Sequence, residues 1–414
     1  MKSFISLALL LLHCGAAVAR PFVPADDAQV LERLPFRRAD PSAAALAALR
    51  RAAADAPADA AAAERLARKY FELASAEGDP RYIGYAEAAI RRWPGADAPV
   101  GIVLVRALLR QYRHEFDTAL AELAQVIARD PTNQEAMFWR AALYLVKGDY
   151  PAARAECARM DAVATRLTVL ACASAVDSVT GGARAAHAAL SRLMEREPPR
   201  GLDFRIWIVT RMAEMAQRFG DDKLAERHFR EAIRLTGKAG SPDGFVLAAL
   251  ADLLLDLGRP REVVELLRDW TRSDVLMVRL AIAEAAAGAP DAARHAQELR
   301  ERFAASALRG DRLHMQEEAR VALALDRDPK RALRLAQENW ATQHEPRDAR
   351  ALMEAALAAG EPAAAKGALD WMRATGYEEP RYRALAARLD PGGNWGGGNP
   401  VGVNPGSGNP GGGK

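Results

Sequence analysis

The sequence has 414 residues, of which 50% are hydrophobic and 6% aromatic, with 57 Lys and Arg against 54 Asp and Glu. A formal net charge of +3 gives no electrostatic reason to expect nucleic acid or an anionic membrane surface as a partner. Arg is much more frequent than Lys in this Ala-rich chain, which we interpret as the coding bias of a GC-rich bacterial genome rather than as a phosphate site.

The first residues have the layout of a secretory signal peptide. Lys2 precedes an apolar run at residues 4–12, and small residues end at Ala19. Cleavage near Ala19 predicts a periplasmic or secreted protein. Cys14 raises the alternative of a lipid anchor, but His13 stands where lipid attachment normally requires a small residue. No later segment has the 18 or more uninterrupted apolar residues of a membrane helix, so none is predicted.

Residues 20–59 follow as an extended lead-in and an N-terminal capping helix. Pro21, Pro24 and Pro35 alternate with charged residues, which is typical of extended chain. Asp40 is a suitable N-cap for a helix over residues 41–54, which would cover the first unit of the domain that follows.

A repeat organises the next 330 or so residues, and its period governs the fold. Each unit has a small residue, then a turn Gly seven positions later, then another small residue five positions after the Gly. The clearest units are centred on these turns: Gly148, Gly181, Gly220, Gly258, Gly288 and Gly360. One unit earlier, His114 takes the turn position, and the stretch 326–329 lacks a turn Gly.

The physics of two packed helices explains these residue types. Helices approach closely only where small side chains face each other, as Ala141 and Ala153 do in this pattern. Gly ends the first helix in the left-handed conformation, and Pro, as at Pro151 or Pro260, suits the first turn of the second helix. Larger apolar residues form a stripe on the second helix that the neighbouring unit must cover.

The spacing resembles that of the tetratricopeptide repeat, most clearly over residues 134–167 and 206–239. The resemblance implies an all-α fold, an α-α superhelix (solenoid) of about nine TPR-like helical hairpins over residues 60–390. It also implies a scaffold that binds protein partners, since the family serves scaffold, co-chaperone and assembly roles. The Lys, Asn and Arg set of the family's peptide-carboxylate clamp is not found here.

The C-terminal end changes composition abruptly. A helix from about Tyr382 to Leu389 is predicted to close the repeat domain. Residues 391–414 are rich in Gly, Asn and Pro and bury too little to order themselves, so a disordered tail is expected. The tail is either a plain spacer or a tether with Trp395 as its apolar contact.

No active site is predicted. The six His residues beyond the signal peptide are single, no His-Glu-x-x-His or Cys-x-x-Cys motif occurs, and no nucleotide-binding loop follows a strand. We therefore expect no catalytic residues, no metal and no cofactor, and a protein that is not an enzyme.

Cys157 and Cys172 stand at equal distances from a predicted turn between antiparallel helices. They form a structural cross-link if their Cα atoms come within roughly 7 Å, and otherwise are two buried thiols.

The first helix of each unit is expected to line the concave side of the superhelix. Steps of three or four residues along these helices select candidate binding residues: Trp207, Thr210, Glu214, Gln217, Phe245, Asp252 and Asp256. Aromatic rings beside carboxylates suggest a groove for a protein segment with basic and apolar groups, unless the rings are buried between units and the carboxylates are solvated.

Two functions are compatible with these residues. The first is an exported scaffold that binds a protein or peptide on its concave face, in envelope assembly or secretion. The alternative is a polysaccharide-associated or glycan-binding protein, because aromatic and acidic surfaces also suit sugars. The sequence leaves the partner and the oligomeric state open.

Overall fold

The computed structural model describes residues 41–239 and 243–395. The predicted signal peptide (1–19), the residues 20–40 and the tail beyond residue 395 lie outside these ranges. The chain divides into two compact units, residues 1–48 and 49–414. Of the first unit, only residues 41–48 are described, and they form the first part of a helix.

The described residues contain twenty α-helices and no strand, which confirms the all-α prediction. In chain order they are Pro41–Asp55 (α1), Ala60–Glu77 (α2), Arg81–Ile90 (α3), Val100–Tyr112 (α4), Phe116–Arg129 (α5), Gln134–Val146 (α6), Tyr150–Arg159 (α7), Arg166–Val179 (α8), Ala183–Arg196 (α9), Leu202–Arg218 (α10), Asp222–Ala239 (α11), Gly244–Asp256 (α12), Pro260–Leu267 (α13), Asp274–Ala287 (α14), Ala292–Leu308 (α15), Met315–Ala324 (α16), Pro329–Trp340 (α17), Pro346–Ala359 (α18), Lys366–Thr375 (α19) and Pro380–Leu389 (α20). Short 3-10 turns, Met160–Ala162 and Pro362–Ala365, follow α7 and precede α19.

Helices α2 to α19 form nine antiparallel hairpins, each packed on the next along the chain. The solenoid of about nine hairpins is therefore confirmed, and α20 closes the row close to the predicted position. The predicted small residues lie where the two helices of a hairpin cross: Ala141 is 1% exposed and Ala153 is fully buried.

The turn between the two helices of a hairpin requires a left-handed residue, and the sequence supplies it in two ways. Gly148 and the other predicted turn glycines all have φ between 68° and 82°. The two units without a turn Gly adopt the same conformation with His114 (φ 60°) and Arg327 (φ 54°). These are the two described non-glycine residues with positive φ, so the turn geometry persists where its preferred residue is missing.

One small-residue assignment was wrong. Ala293, five positions after Gly288, is exposed. Helix α15 begins four residues after its turn Gly, whereas α7, α9, α11 and α13 begin two residues after theirs. The longer turn moves the crossing position along the helix, and Ala296, 6% exposed, occupies it.

Units far apart in sequence meet at their edges, at a set of contacts that we call the seam. A Cβ atom on Gly148 would lie 3.3 Å from the Cβ of His344, and one on Gly181 would lie 3.1 Å from the carbonyl oxygen of Gly376. The amide of His344 also donates a hydrogen bond to the carbonyl of Val146 at 2.7 Å. The solenoid thus turns tightly enough for later units to contact earlier ones.

Charged and aromatic groups reinforce the seam. Arg381 pairs with Asp222 at 2.7 Å, and the amide of Ala183 donates to the carboxylate of Glu378 at 3.0 Å. The Trp371 indole N–H donates to the Tyr150 hydroxyl. The inner face of the solenoid is consequently enclosed rather than presented as an open groove.

Trp395 is the last described residue and packs on the end of the repeat domain. Its indole N–H donates to the carbonyl of Asp390 at 3.1 Å, and the guanidinium of Arg373 lies 4.6 Å from its ring centroid. Within residues 41–239 and 243–395, no helix has the length and apolar character needed to span a membrane.

Candidate functional site

The enclosed inner face surrounds a central cavity of about 490 Å³. The first helix of each of the nine hairpins contributes to its wall, from Ala74 on α2 to Glu354 on α18. The volume lies in the range of roughly 300–1,000 Å³ usual for sites that hold small ligands or short segments. The curvature of the solenoid therefore gathers residues that are almost 300 positions apart into one site.

Five of the seven predicted binding residues line this cavity: Glu214, Gln217, Phe245, Asp252 and Asp256. Phe245 is the second residue of α12 and keeps 37% of its surface exposed. The guanidinium of Arg211 lies 4.6 Å from the centroid of the Phe245 ring.

Trp207 and Thr210 are not part of the cavity wall. Trp207 packs edge-on against Phe138, with ring centroids 5.0 Å apart, and stacks with Phe204 at 6.2 Å. Thr210 is 2% exposed and its hydroxyl donates to the carbonyl of Ile206 at 2.8 Å. Both residues therefore contribute to packing along α10.

Asp252 connects three helices. Its carboxylate accepts hydrogen bonds from Arg279 at 2.7 and 3.0 Å and from Arg320 at 2.8 Å. Burial opposes its ionisation, but the two guanidinium charges and their hydrogen bonds outweigh burial and hold the pKa of Asp252 well below its usual range.

Asp256 is paired in the same way. Its two oxygens accept a bidentate pair of hydrogen bonds from Arg350 at 2.6 and 2.7 Å, and Arg381 lies 3.6 Å away. Arg350 also pairs with Glu354 at 2.7 Å. Asp252 and Asp256, two of the carboxylates that suggested a basic ligand, are thus already paired with arginines of later units.

Six guanidinium groups line the cavity, and each lies within 4 Å of a carboxylate. Arg211 and Arg218 share Glu214, at 2.9 and 3.8 Å. Arg347 pairs with Glu345 at 2.6 Å, and its side chain is 46% exposed.

Two lining carboxylates have no ion-pair partner among the described residues, Asp348 and Glu379. Asp348 accepts hydrogen bonds from the Asn339 side chain at 2.9 Å and the Glu345 amide at 3.0 Å. Burial, followed by the charge of Glu345, raises the pKa of Asp348 to about 7. Burial also raises the pKa of Glu379, which accepts a hydrogen bond from Tyr377. Both carboxyl groups therefore keep their protons to a higher pH than free carboxyl groups do.

A further group of lining side chains is neutral and has no side-chain hydrogen bond to any part of the chain that the structure describes: Gln111, Tyr112, Gln217 and Gln316. Gln316 is 7% exposed. Burial raises the pKa of Tyr112 to about 12, which keeps its hydroxyl protonated. The cavity therefore presents hydrogen-bonding groups that the fold itself does not use.

The sequence prediction missed the lining residues of the later units. Arg279, Gln316, Arg320, Arg347 and Arg350 all lie on first helices, at α14, α16 and α18. The same steps of three or four residues that selected Gln217 would have selected Gln316 and Arg320, or Arg347 and Arg350. The signal was present, but it was followed only as far as Asp256.

Cys157 and Cys172 form a disulfide with Cα atoms 5.5 Å apart. The bond joins α7 to α8 and therefore links neighbouring hairpins. Among the described residues, no group of three or more His, Cys, Asp or Glu side chains is arranged to hold a metal ion.

The repeated hairpins and their curved row define a class of fold, the helical-repeat solenoids. The family model described as Tetratricopeptide repeat matches residues 112–166. This match confirms the predicted resemblance to the tetratricopeptide repeat over those residues.

The chain is similar to several solved structures. A tetratricopeptide repeat protein from Parabacteroides merdae is 15% identical, with a TM-score of 0.36, over 71% of this chain and 98% of that one. The Cut9–Hcn1 hetero-tetramer of the APC/C is 14% identical, with a TM-score of 0.48, over 80% of this chain and 63% of that one. The TPR domain of P58(IPK) is 16% identical, with a TM-score of 0.22, over 78% and 98%. No curated protein matches the sequence.

Proposed function

We propose that the protein is an exported scaffold that holds a short segment of a protein partner in its central cavity. The observation that carries this proposal is the convergence of nine helices on one water-accessible cavity. Its wall contains side-chain amides that have no hydrogen-bond partner among the described residues, such as those of Gln217 and Gln316, and that are therefore free to bind a ligand.

Two features support an extracytoplasmic location, in an envelope assembly or a secretion complex. The signal-peptide pattern ends near Ala19, and a disulfide between Cys157 and Cys172 is stable in an oxidising compartment. Fractionation and N-terminal sequencing test this location. A mature chain that begins near Arg20 in the periplasm or the medium supports it, and an uncleaved cytosolic chain contradicts it.

Site-specific photocrosslinking in the producing cell tests the cavity. A benzoyl-phenylalanine replaces Phe245, which lines the cavity, or Leu308, which is 91% exposed on a second helix. We expect the probe at position 245 to capture a defined protein that the probe at position 308 does not. The same set of products at both positions, or none at position 245, would contradict binding in the cavity.

A glycan-binding role is the second candidate, because the exposed ring of Phe245 near unpaired amides also suits a saccharide. Binding of a neutral oligosaccharide on a glycan array, lost when Gln217→Trp fills the cavity, would favour this candidate. Absence of any such binding leaves the protein segment as the ligand.

A further inference from the structure

We infer that the segment held in the central cavity is uncharged and polar, and that side-chain amides rather than ion pairs recognise it. The inference rests on the proposed function and specifies its partner. Two independent observations lead to it. Every guanidinium of the cavity wall already has a carboxylate partner, and several neutral side chains of the wall have no hydrogen-bond partner among the described residues.

A basic segment gains little at either aspartate of α12. A lysine that approached Asp252 would also meet the guanidiniums of Arg279 and Arg320, which lie 2.7 and 2.8 Å from its carboxylate. At Asp256 the lysine would meet Arg350 at 2.6 Å and Arg381 at 3.6 Å. The attraction of the lysine to each aspartate is small, because neighbouring guanidiniums already offset the charge of that carboxylate.

An acidic segment has the same difficulty. The most accessible guanidinium, that of Arg347, already has a carboxylate partner at 2.6 Å, in Glu345. Its neighbour Asp348, 2% exposed, would add repulsion whenever it is ionised. A carboxylate or phosphate ligand would have to displace an existing ion pair, with the desolvation cost that this entails.

The uncharged groups that remain are side-chain amides and a phenol. Gln217 on α10 and Gln316 on α16 carry both donors and acceptors, and Tyr112 on α4 adds a hydroxyl. They lie on three separate helices around the cavity, so they would contact a ligand from different sides. Backbone amides and the side chains of Asn, Gln, Ser or Thr are their chemical complements.

Phe245 limits the ligand further. Its ring is 37% exposed, and the Arg211 guanidinium lies over it at 4.6 Å. An apolar or small group of the segment can pack beside the ring without burying a charge. The expected occupant is therefore a short stretch of uncharged polar residues with one apolar contact.

Selection from a displayed library of random heptapeptides tests the inference. The full mature protein is the bait, and its Gln217→Trp variant, which fills the cavity, is the counter-selection. We expect the cavity-dependent sequences to be uncharged and enriched in Asn, Gln, Ser and Thr. Enrichment of Lys and Arg, or of Asp and Glu, would overturn the inference and leave the proposed function standing.

The same selection distinguishes failure of the proposed function itself. If no heptapeptide depends on the open cavity, the proposed function fails and the inference fails with it. A neutral oligosaccharide that binds the mature protein but not Gln217→Trp would then identify a saccharide as the ligand.

Variants of the wall test recognition by the amides. Gln316→Leu and Gln217→Leu should each weaken the best uncharged heptapeptide about 5- to 10-fold, the effect of one lost hydrogen bond. Gln297→Leu is the matched control, because Gln297 is exposed on α15 and bonds to Glu301. Equal affinities for all four proteins would contradict the inference. Circular dichroism confirms folding, and Gln217→Leu, at a half-buried site, remains informative if Gln316→Leu unfolds.

Salt dependence gives an independent measurement. Binding of an uncharged segment should change less than about two-fold between 0.05 and 0.5 M NaCl, because no charges are matched across the interface. A steep loss of affinity with salt would show ion pairing and contradict the inference.

Discussion

Asp252→Asn should destabilise the fold strongly, because Asp252 neutralises two arginines at once. The substitution keeps the shape of the side chain but removes its charge. Arg279, whose side chain is 3% exposed, would retain only Glu317 at 3.8 Å and the carbonyl of Val275 as partners. Removal of one partner of a buried ion pair lowers the free energy of unfolding by about 3–5 kcal/mol. Because the Asp252 side chain is 29% exposed, we expect a loss at the lower end of this range, ~3 kcal/mol.

Equilibrium urea unfolding followed by circular dichroism measures this loss, and hydrogen exchange of α12 and α14 locates it. Asp291→Asn is the matched control, because its partner Arg294 is 61% exposed and solvent screens the pair, so its loss should hardly change the stability. If the two variants unfold within ~0.5 kcal/mol of each other, the ion-pair cluster does not hold the units together and the reasoning is refuted.

The pH dependence of the same variant supplies a second check. The folded pKa of Asp252 lies below its unfolded value, so its contribution is present above about pH 4 and is lost as the pH falls. The difference in unfolding free energy between wild type and Asp252→Asn should therefore shrink below about pH 4. A difference that stays constant down to pH 2 would contradict this assignment.

Three further predictions concern the seam, the disulfide and a buried acid. Gly181→Ala should lower the free energy of unfolding in urea by about 1–3 kcal/mol more than Gly258→Ala does. Both glycines have positive φ, but only a Cβ atom on Gly181 would lie 3.1 Å from a carbonyl oxygen across the seam. Equal losses for the two variants would contradict the contact at the seam. Reduction should increase the mass of the mature chain by two hydrogen atoms, and an unchanged mass would exclude the disulfide. Replacing Cys157 and Cys172 by Ser should lower the free energy of unfolding by about 3 kcal/mol, as expected for a closed loop of about 15 residues. Burial raises the pKa of Asp348 to about 7, above its value in the unfolded chain, so the folded wild type loses stability as the pH rises from 4 to 7. Asp348→Asn does not titrate, so it should become more stable relative to wild type over this range. A constant difference in unfolding free energy would contradict the raised pKa.

Much of the local structure was predictable because it depends on short-range chemistry. The left-handed turn at Gly148 and the crossing of Ala141 with Ala153 follow from a spacing that is visible in the sequence. The crossing position at Ala296 was not predicted. Helix α15 begins two residues later after its turn Gly than α7, α9, α11 and α13 do, and no residue after Gly288 marks this later start in the sequence.

The candidate site was only partly predictable, because a periodic pattern gives the face of a helix but not its neighbours. Stepping along α10 and α12 selected Gln217 and Asp252 correctly as lining residues, but it also selected Trp207, whose ring is packed against Phe138. Nothing in the sequence pairs Asp252 with Arg320, which lies 68 positions later.

The sequence by itself determined the repeating hairpin, since helix propensity, turn glycines and small crossing residues act within one unit or between adjacent units. The tertiary structure alone decided that the inner face is enclosed. A small rotation between successive units accumulates over nine hairpins, and its sum brings Gly181 to Gly376 and Asp256 to Arg350. That sum depends on the packing of every unit on the next, so it appears in no single repeat.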